Sequence, residues 1–449
     1  MSDRGPGPGA DRPDPGAPTI EAGAGPSAIG VPGAAGRSTR RRRRWWLAGL
    51  ALLGPGLIAA NAGNDAGGIA TYASAGSEFG YQTLFVMLLV TVALVVVQEM
   101  SARLGAFTGE GLMSLIREQF PLRAATFAIV CLLVANLGLV VSEFAGIGAA
   151  FELFGVSRYL SIPLAAVAIW AVVAFGSYRY AERIFLLLGL AFVAYPIAAV
   201  LARPDWGEVA HGFLPHFDTD RDYLFMVVAL IGTTITPYMQ LYQAAAVADR
   251  GASAHDYREV RLDSIVGSLL ANFVSIAIII ATAAAIGGTG PLESASQAAE
   301  ALEPVAGAGA QVLFGVGLLG ASALAAAVVP LATSYAVAEA LGVERSVSRT
   351  FREAPLFLGM FTGLIVLGAC VALLPGNLIK LLVSMQFLNG VITPVVLMFI
   401  LVLANRRAVL GDAVNGPRFR IVATVCVVVI AVLAVTVVAQ TLLGWLGVL

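Results

Sequence analysis

Asp65 stands out chemically, because it lies inside an apolar run that begins at Trp45. It belongs to the segment NAGNDAGG, residues 61–68, which contains three glycines. A carboxylate near the centre of a bilayer is costly and by default marks a functional site. Unwound backbone beside it exposes carbonyl oxygens, and such hard donors suit Mg²⁺, Ca²⁺ or Mn²⁺. The alternative is that Asp65 only caps a broken helix.

A second interruption lies in the segment GTTITPYMQ, residues 232–240. Pro237 removes a backbone donor in the middle of an otherwise apolar helix, and Thr233 and Thr236 offer hydroxyl oxygens beside it. Backbone groups freed inside lipid must be satisfied by protein or by a water-lined cavity. Two interrupted helices, each opening a group of five spans, predict an inverted-repeat transporter with its site at the bilayer midplane.

The composition is that of a polytopic membrane protein. Of the 449 residues, 58% are hydrophobic and only 12% are charged, whereas soluble domains carry roughly 25% charged residues. The net charge of −1 gives no indication of a nucleic-acid partner, and the three cysteines lack metal-binding spacing. No nucleophile–base pair or phosphate-binding loop indicates an enzyme.

The chain divides into a tail and a membrane domain. Residues 1–44 are rich in Gly, Pro and Ala, so we expect a disordered cytoplasmic tail. A membrane-crossing helix needs about 20 mainly apolar residues, and residues 45–449 contain about eleven such segments. The predicted spans are 46–76, 81–102, 125–152, 159–176, 184–202, 223–248, 264–286, 309–341, 355–375, 378–405 and 420–446. The two repeats would cover about 46–202 and 223–405.

The distribution of lysine and arginine supports this count, because both are enriched in cytoplasmic loops. With a cytoplasmic N-terminus and eleven spans, 23 of the 27 Lys and Arg residues lie on the cytoplasmic side and 4 lie outside. This pattern predicts a multi-pass protein of the plasma (inner) membrane with an external C-terminus.

Several blocks, taken in order, resemble the NRAMP (natural resistance-associated macrophage protein) family of divalent metal transporters. GPG at 54–56, followed by Asp65, is similar to the family's first helix. Further similar blocks are QEMSARLGAFTGEGLMSLIRE at 98–118, SYRYAERI at 177–184, LFGVGLLGASALA at 313–325 and LLVSMQFLNGVITP at 381–394. The resemblance covers nearly everything beyond the tail. It implies an all-α membrane protein with a LeuT-like inverted repeat of 5+5 helices and an eleventh transmembrane helix.

The resemblance also implies where a transported metal ion binds. Gln386 occupies the position of a family glutamine on the tenth helix that approaches the metal. The predicted metal ligands are Asp65, Thr233, Thr236 and Gln386, and the candidate pathway residues are Asn64, Gly68, Tyr238, Glu143 and Asn389. Asn389, like Asn136, either lines the pathway or forms hydrogen bonds between helices.

Departures from the family pattern indicate a variant of the family's metal site. The family's Asp-Pro-Gly-Asn turn reads DAGG at residues 65–68, and its Met-Pro-His reads TPY at residues 236–238. The amide, thioether and imidazole groups are therefore missing, as in the NRAMP-related magnesium transporters that this pattern resembles. Mg²⁺ is commonly held by one or two carboxylates and keeps several waters, for which Gly68 leaves room. We expect import of Mg²⁺ and/or Mn²⁺, with little preference for Fe²⁺ or Zn²⁺.

Energy coupling is expected to be absent or weak, because proton coupling needs a titratable relay. The family's histidine is Tyr238 here, a poor proton acceptor at neutral pH. Glu143 lies well inside a span and is either a proton acceptor, a second cation station, or a carboxyl hydrogen-bonded between helices. A membrane potential of about 100 mV contributes roughly 4.6 kcal/mol to the entry of a divalent cation. Voltage alone is therefore sufficient to drive uptake by alternating access.

Three alternative functions stay open at this point. The first is a proton-coupled Mn²⁺/Fe²⁺ symporter of the typical NRAMP kind. The second is a sodium-coupled organic-solute carrier of the same architecture, although the charge of Asp65 would repel an anionic substrate. The third is a metal sensor that binds without transport. The expected partners are the lipid bilayer and the divalent ion, and we expect a monomer.

Overall fold

The computed structural model describes residues 65–174, 190–249, 251–252, 255–342 and 354–445. The predicted tail, the GPG segment and Asn64 lie outside the described residues. Of the predicted first span, the structure therefore describes only the part that begins at Asp65.

The described chain is helical, with short 3-10 turns and no strand within those ranges. The first nine helices are α1 (Ala66–Phe79), α2 (Leu84–Thr108), α3 (Leu112–Gln119), α4 (Leu122–Leu153), α5 (Arg158–Ala174), α6 (Ala194–Leu201), α7 (Trp206–Gly212), α8 (Arg221–Thr234) and α9 (Pro237–Asp249). The next eight are α10 (Tyr257–Ile286), α11 (Ala295–Glu300), α12 (Glu303–Ala306), α13 (Ala310–Leu341), α14 (Pro355–Ala372), α15 (Leu378–Ala404), α16 (Arg407–Leu410) and α17 (Pro417–Trp445). The 3-10 turn Leu190–Val193 lies between α5 and α6.

Eight stretches of the described residues are helical, long and apolar enough to cross a membrane. They correspond to α2, α4, α8 with α9, α10, α12 with α13, α14, α15 and α17, while α5 is a shorter apolar helix. Each coincides with a predicted span, and α1 and α6 occupy the ends of the predicted first and fifth spans. The protein is thus a multi-pass integral membrane protein. The count of eleven stays a prediction, because the other parts of those two spans are not described.

The predicted interruption of the sixth span is confirmed. Helix α8 ends at Thr234, and α9 begins at Pro237, a position where proline is tolerated because its missing amide has no helical partner there. Ile235 between them has φ −117° and ψ 56°, which is not a helical conformation. The break therefore frees main-chain groups inside the fold.

The helices that carry the predicted site residues pack against one another. Helix α4 contacts α13 and α15, α8 contacts α15, and α1 contacts α10. Gly232 on α8 and Gly390 on α15 permit a close approach, since a β-carbon at Gly232 would overlap the Gly390 backbone. This contact places Thr233, the next residue, beside the helix that carries Gln386.

Candidate functional site

Asp65 forms the N-terminal cap of α1. Its Oδ1 accepts a hydrogen bond of 2.6 Å from the Gly68 amide, which satisfies one of the amides left free at a helix start. Asp65 as a whole residue is partly exposed. The capping role considered from the sequence is therefore present.

Thr233 and Asp65 converge on the same point. A β-carbon at Gly68 would lie 2.9 Å from Thr233 Oγ1 and 3.0 Å from Asp65 Oδ1. Thr233 is 1% exposed, and its hydroxyl has no hydrogen-bond partner among the described residues. The absence of a side chain at Gly68 thus leaves a narrow gap, too small for a β-carbon, between an oxygen at the start of α1 and an oxygen on α8.

Gln386 reaches the first turn of α1 from α15. A β-carbon at Gly67 would overlap its Nε2, so glycine is required there. Nε2 donates a hydrogen bond of 3.4 Å to the Ser142 hydroxyl on α4. The other amide atom, Oε1, is buried without a partner in the described part of the chain. Sequence reasoning missed Ser142, which carries no local signal beyond its place next to Glu143.

Glu143 is fully buried on α4 beside the start of α1. The Ala66 amide lies next to its carboxyl group, yet neither carboxylate oxygen forms a hydrogen bond with a described residue. One turn later, a β-carbon at Gly146 would overlap the Ala66 side chain and lie 2.5 Å from Ser322 Oγ. The Ser322 hydroxyl is likewise buried without a described partner. Glu143 therefore joins the polar atoms around the first turn of α1.

These atoms form a cluster of oxygens that the described protein groups leave unsatisfied. Its members are Thr233 Oγ1, Gln386 Oε1, Ser322 Oγ and both oxygens of Glu143. Buried polar atoms in folded proteins are almost always paired, and leaving them unpaired costs free energy. A hydrated cation held by the Asp65 carboxylate would offer a partner to the oxygens nearest to it; the metal site itself stays a prediction. No group of three or more His, Cys, Asp or Glu side chains suited to a metal occurs among the described residues, so neutral oxygens must supply part of any coordination.

Thr236 lies in the break, 2% exposed. Its carbonyl accepts the Met239 amide at 3.2 Å. The contacts described around Gly68 include Thr233 but not Thr236. Its assignment as a metal ligand stays a prediction.

Tyr238 lines a cleft that encloses about 450 Å³, part of it open to solvent. The cleft is also lined by Gly111, Asn136, Tyr335 and Glu339. Gly111 belongs to the loop between α2 and α3, which the charge distribution predicts to be cytoplasmic. A pathway role for Tyr238 stays a prediction.

The two intramembrane asparagines make different contacts. Asn136 donates a hydrogen bond of 2.7 Å to the Thr333 hydroxyl on α13, a contact between helices. Asn389 donates one of 3.2 Å to the Met385 carbonyl of its own helix. A pathway role for Asn389 stays a prediction.

Tyr72 is a site residue that sequence reasoning missed. Its hydroxyl lies 3.0 Å from the Thr234 hydroxyl, and its ring approaches to 3.4 Å from the β-carbon position of Gly68. The available signal was its spacing, since residues seven apart lie on the same face of a helix. Tyr72 stands two turns after Asp65 and covers the gap at Gly68.

The family model for natural resistance-associated macrophage protein-like (Nramp) chains matches residues 56–440. The chain belongs to the Nramp family. Two similar relatives are both named divalent metal cation transporter MntH. The one from Ralstonia nicotianae is 31% identical over 424 residues, covering 89% of this chain and 93% of the relative. The one from Yersinia enterocolitica is 28% identical, covering 85% and 93%.

Solved structures confirm the fold of this Nramp chain. It resembles the Eremococcus coleocola manganese transporter with a TM-score of 0.70 and 19% identity, covering 91% of this chain and 90% of that one. It also resembles MhsT in complex with L-phenylalanine, with a TM-score of 0.57, 15% identity and coverage of 86% and 98%. The all-helical, LeuT-like fold is therefore confirmed, and membership of a transporter family confirms that the chain is not an enzyme.

Proposed function

We propose that this Nramp chain transports divalent metal cations by alternating access, and that Mn²⁺ is among its substrates. The relatives are named for divalent metal cations, and the similar solved structure is a manganese transporter. These similarities favour a transporter of the typical Nramp kind over the variant expected from the sequence, which would import Mg²⁺ and/or Mn²⁺ without proton coupling or with weak coupling.

The convergence of Asp65 and Thr233 on the gap at Gly68 carries the proposal. Gln386 Oε1 and the Glu143 carboxylate add oxygens that the described protein groups do not satisfy. A carboxylate with neutral oxygens is the donor set that Mn²⁺, Mg²⁺ and Ca²⁺ prefer. Tyr238, four residues after Thr234, lines a cleft that is partly open to solvent, and we propose this cleft as part of the route for the ion.

Transport of Mg²⁺ is the finer part of the proposal. Mg²⁺ dehydrates reluctantly and keeps several waters, which a glycine at position 68 obstructs less than the family's asparagine would. The residues at 236–238 supply no thioether or imidazole, so no soft ligand from them favours transition metals. We therefore expect Mg²⁺ to compete with Mn²⁺ for uptake.

Proton coupling is a second candidate feature, and Glu143 favours it. A fully buried carboxyl with only the Ala66 amide beside it among the described groups is stable when it binds a proton or faces a cation. Uncoupled, voltage-driven uptake is the alternative expected from the missing histidine. Mn²⁺ uptake into vesicles containing a pH dye separates the two, since only coupled transport acidifies the lumen.

Mn²⁺ uptake by proteoliposomes tests the function itself. We expect Asp65→Asn to abolish uptake, whereas Asp412→Asn, which changes an exposed aspartate, keeps wild-type rates. Uptake that survives in Asp65→Asn would overturn the proposed site. Competition by excess amino acid instead of Mg²⁺ would support an organic-solute carrier, and Mn²⁺ binding without uptake would support a sensor.

A further inference from the structure

The break between α8 and α9 leaves the Ile235 carbonyl without its usual helical donor. In a continuous helix the Met239 amide would donate to it, but that amide donates to the Thr236 carbonyl at 3.2 Å. Ile235 itself is fully buried. Its carbonyl therefore needs a donor from another part of the protein.

Thr393 on α15 supplies that donor. Its hydroxyl lies 3.2 Å from the Ile235 carbonyl and 2.8 Å from the Asn389 carbonyl of its own helix. A hydroxyl has one proton, so the two carbonyls share it. Thr393 is fully buried, and water does not compete for this contact from solvent.

The backbones of α8 and α15 are held together just beside this hydrogen bond. A β-carbon at Gly390 would overlap the Val228 carbonyl, and one at Gly232 would overlap the Gln386 carbonyl. Such reciprocal contacts leave little freedom for one helix to slide along the other. The position of Thr393 relative to the break between α8 and α9 is therefore fixed.

Thr393 lies on the same helix, α15, as Gln386, one of the predicted ligands of the ion. Gln386 and Thr393 are seven residues apart on α15, which is two turns, so they share one helix face. Across from them, Ile235 follows Thr233 by two residues. The Thr393 hydrogen bond thus links the unwound segment to the helix that carries Gln386.

We infer that Thr393 is a positioning residue, whose hydroxyl holds the Ile235 carbonyl and so sets the arrangement of oxygen ligands around the transported cation. The inference rests on the proposed function. Thr393 acts through the backbone of the break rather than by touching the ion. It determines the affinity for the ion more than the maximal rate of transport.

Replacing the hydroxyl by a methyl group tests this inference. We expect Thr393→Val to raise the KM for Mn²⁺ uptake about threefold to tenfold, which is the range for the loss of one buried hydrogen bond. Vmax should stay within about twofold of wild type. Thr393→Ser retains the hydroxyl and should restore the wild-type KM.

A matched control distinguishes this role from general helix stabilisation. The Thr436 hydroxyl bonds only the Val432 carbonyl of its own helix, at 2.8 Å, on an exposed face of α17. Thr436→Val should leave KM unchanged, and a comparable rise in this control would overturn the inference. If Thr393→Val does not fold, comparing Thr393→Ala with Thr393→Ser isolates the hydroxyl at nearly equal volume.

Other outcomes also separate the two proposals. An unchanged KM in Thr393→Val, or a fall in Vmax and Tm alone, would mean that the hydroxyl only supports packing. Asp65→Asn is measured in parallel. If that variant loses uptake while Thr393→Val behaves as wild type, the proposed function stands and the positioning role fails. If Asp65→Asn transports normally, the proposed function itself fails.

Discussion

The hydroxyl groups of Tyr72 and Thr234 lie 3.0 Å apart and connect α1 directly to α8. The ring of Tyr72 also packs over the gap at Gly68, and Thr234 follows Thr233 in the chain. The contact therefore holds Asp65 and Thr233, one on each helix, toward the same space. It also covers that space with a buried aromatic ring.

Removing this hydroxyl should weaken ion binding without removing the ring. We expect Tyr72→Phe to reduce Mn²⁺ uptake at subsaturating concentrations about twofold to tenfold, since one buried hydrogen bond is lost. Tyr159→Phe, which changes an exposed tyrosine on α5, serves as the control. Wild-type uptake by Tyr72→Phe at low Mn²⁺ would show that the contact does not organise the site.

The gap at Gly68 should not tolerate a side chain. We expect Gly68→Ala to reduce Mn²⁺ uptake at least about tenfold, because its methyl group would lie about 3 Å from both flanking oxygens. Gly359→Ala provides the control, because a β-carbon at Gly359 meets no atom within 4 Å. Uptake rates in proteoliposomes and Tm values in detergent are measured for both. Full activity in Gly68→Ala would contradict a site at this gap.

Thr236 provides a test of ion preference. If its side chain reaches the ion, Thr236→Met adds a soft ligand, which favours transition metals over Mg²⁺. We therefore expect excess Mg²⁺ to compete less well with Mn²⁺ uptake by this variant than by wild type. Thr393→Ser, which keeps oxygen chemistry throughout, is the comparison. An unchanged ranking of ions would remove Thr236 from the set of predicted ligands.

A buried ion pair within α2 contacts the segment before α17. Arg103 donates a hydrogen bond of 3.0 Å to Glu99 and also bonds Asn415 and the Ala413 carbonyl. Both charged side chains are less than 10% exposed. Glu99 further accepts a hydrogen bond from Tyr257 on α10. The pair and its hydrogen bonds therefore connect α2 with α10 and with the segment that precedes α17.

Breaking this pair should destabilise the protein strongly. Glu99→Gln leaves the Arg103 charge buried without its partner, which costs about 3–5 kcal/mol. The surface pair of Arg158 and Glu152, 2.9 Å apart and more exposed, offers the contrast, because such pairs contribute about 1 kcal/mol or less. Thermal unfolding in detergent should therefore show a much larger fall in Tm for Glu99→Gln than for Glu152→Gln. Equal shifts would contradict the structural role of the buried pair.

The sequence was informative wherever the bilayer imposes a simple rule. A span must be long and apolar, and every predicted span coincides with a described helix or part of one. A proline and a charge are conspicuous inside such a span. Pro237 therefore predicts the break in the sixth span, and the charge of Asp65 marks the position just before α1 begins at Ala66.

Only the tertiary structure shows which side chains contact the start of α1 at Asp65 and the break before Pro237. Ser142, Ser322 and Thr393 come from three different helices and look like ordinary small polar residues in the chain. Most of these spans are apolar on nearly all faces, so periodicity does not reveal which face of a helix meets which neighbour. Contacts between helices depend on crossing angle and register, which bring together residues up to some 300 positions apart.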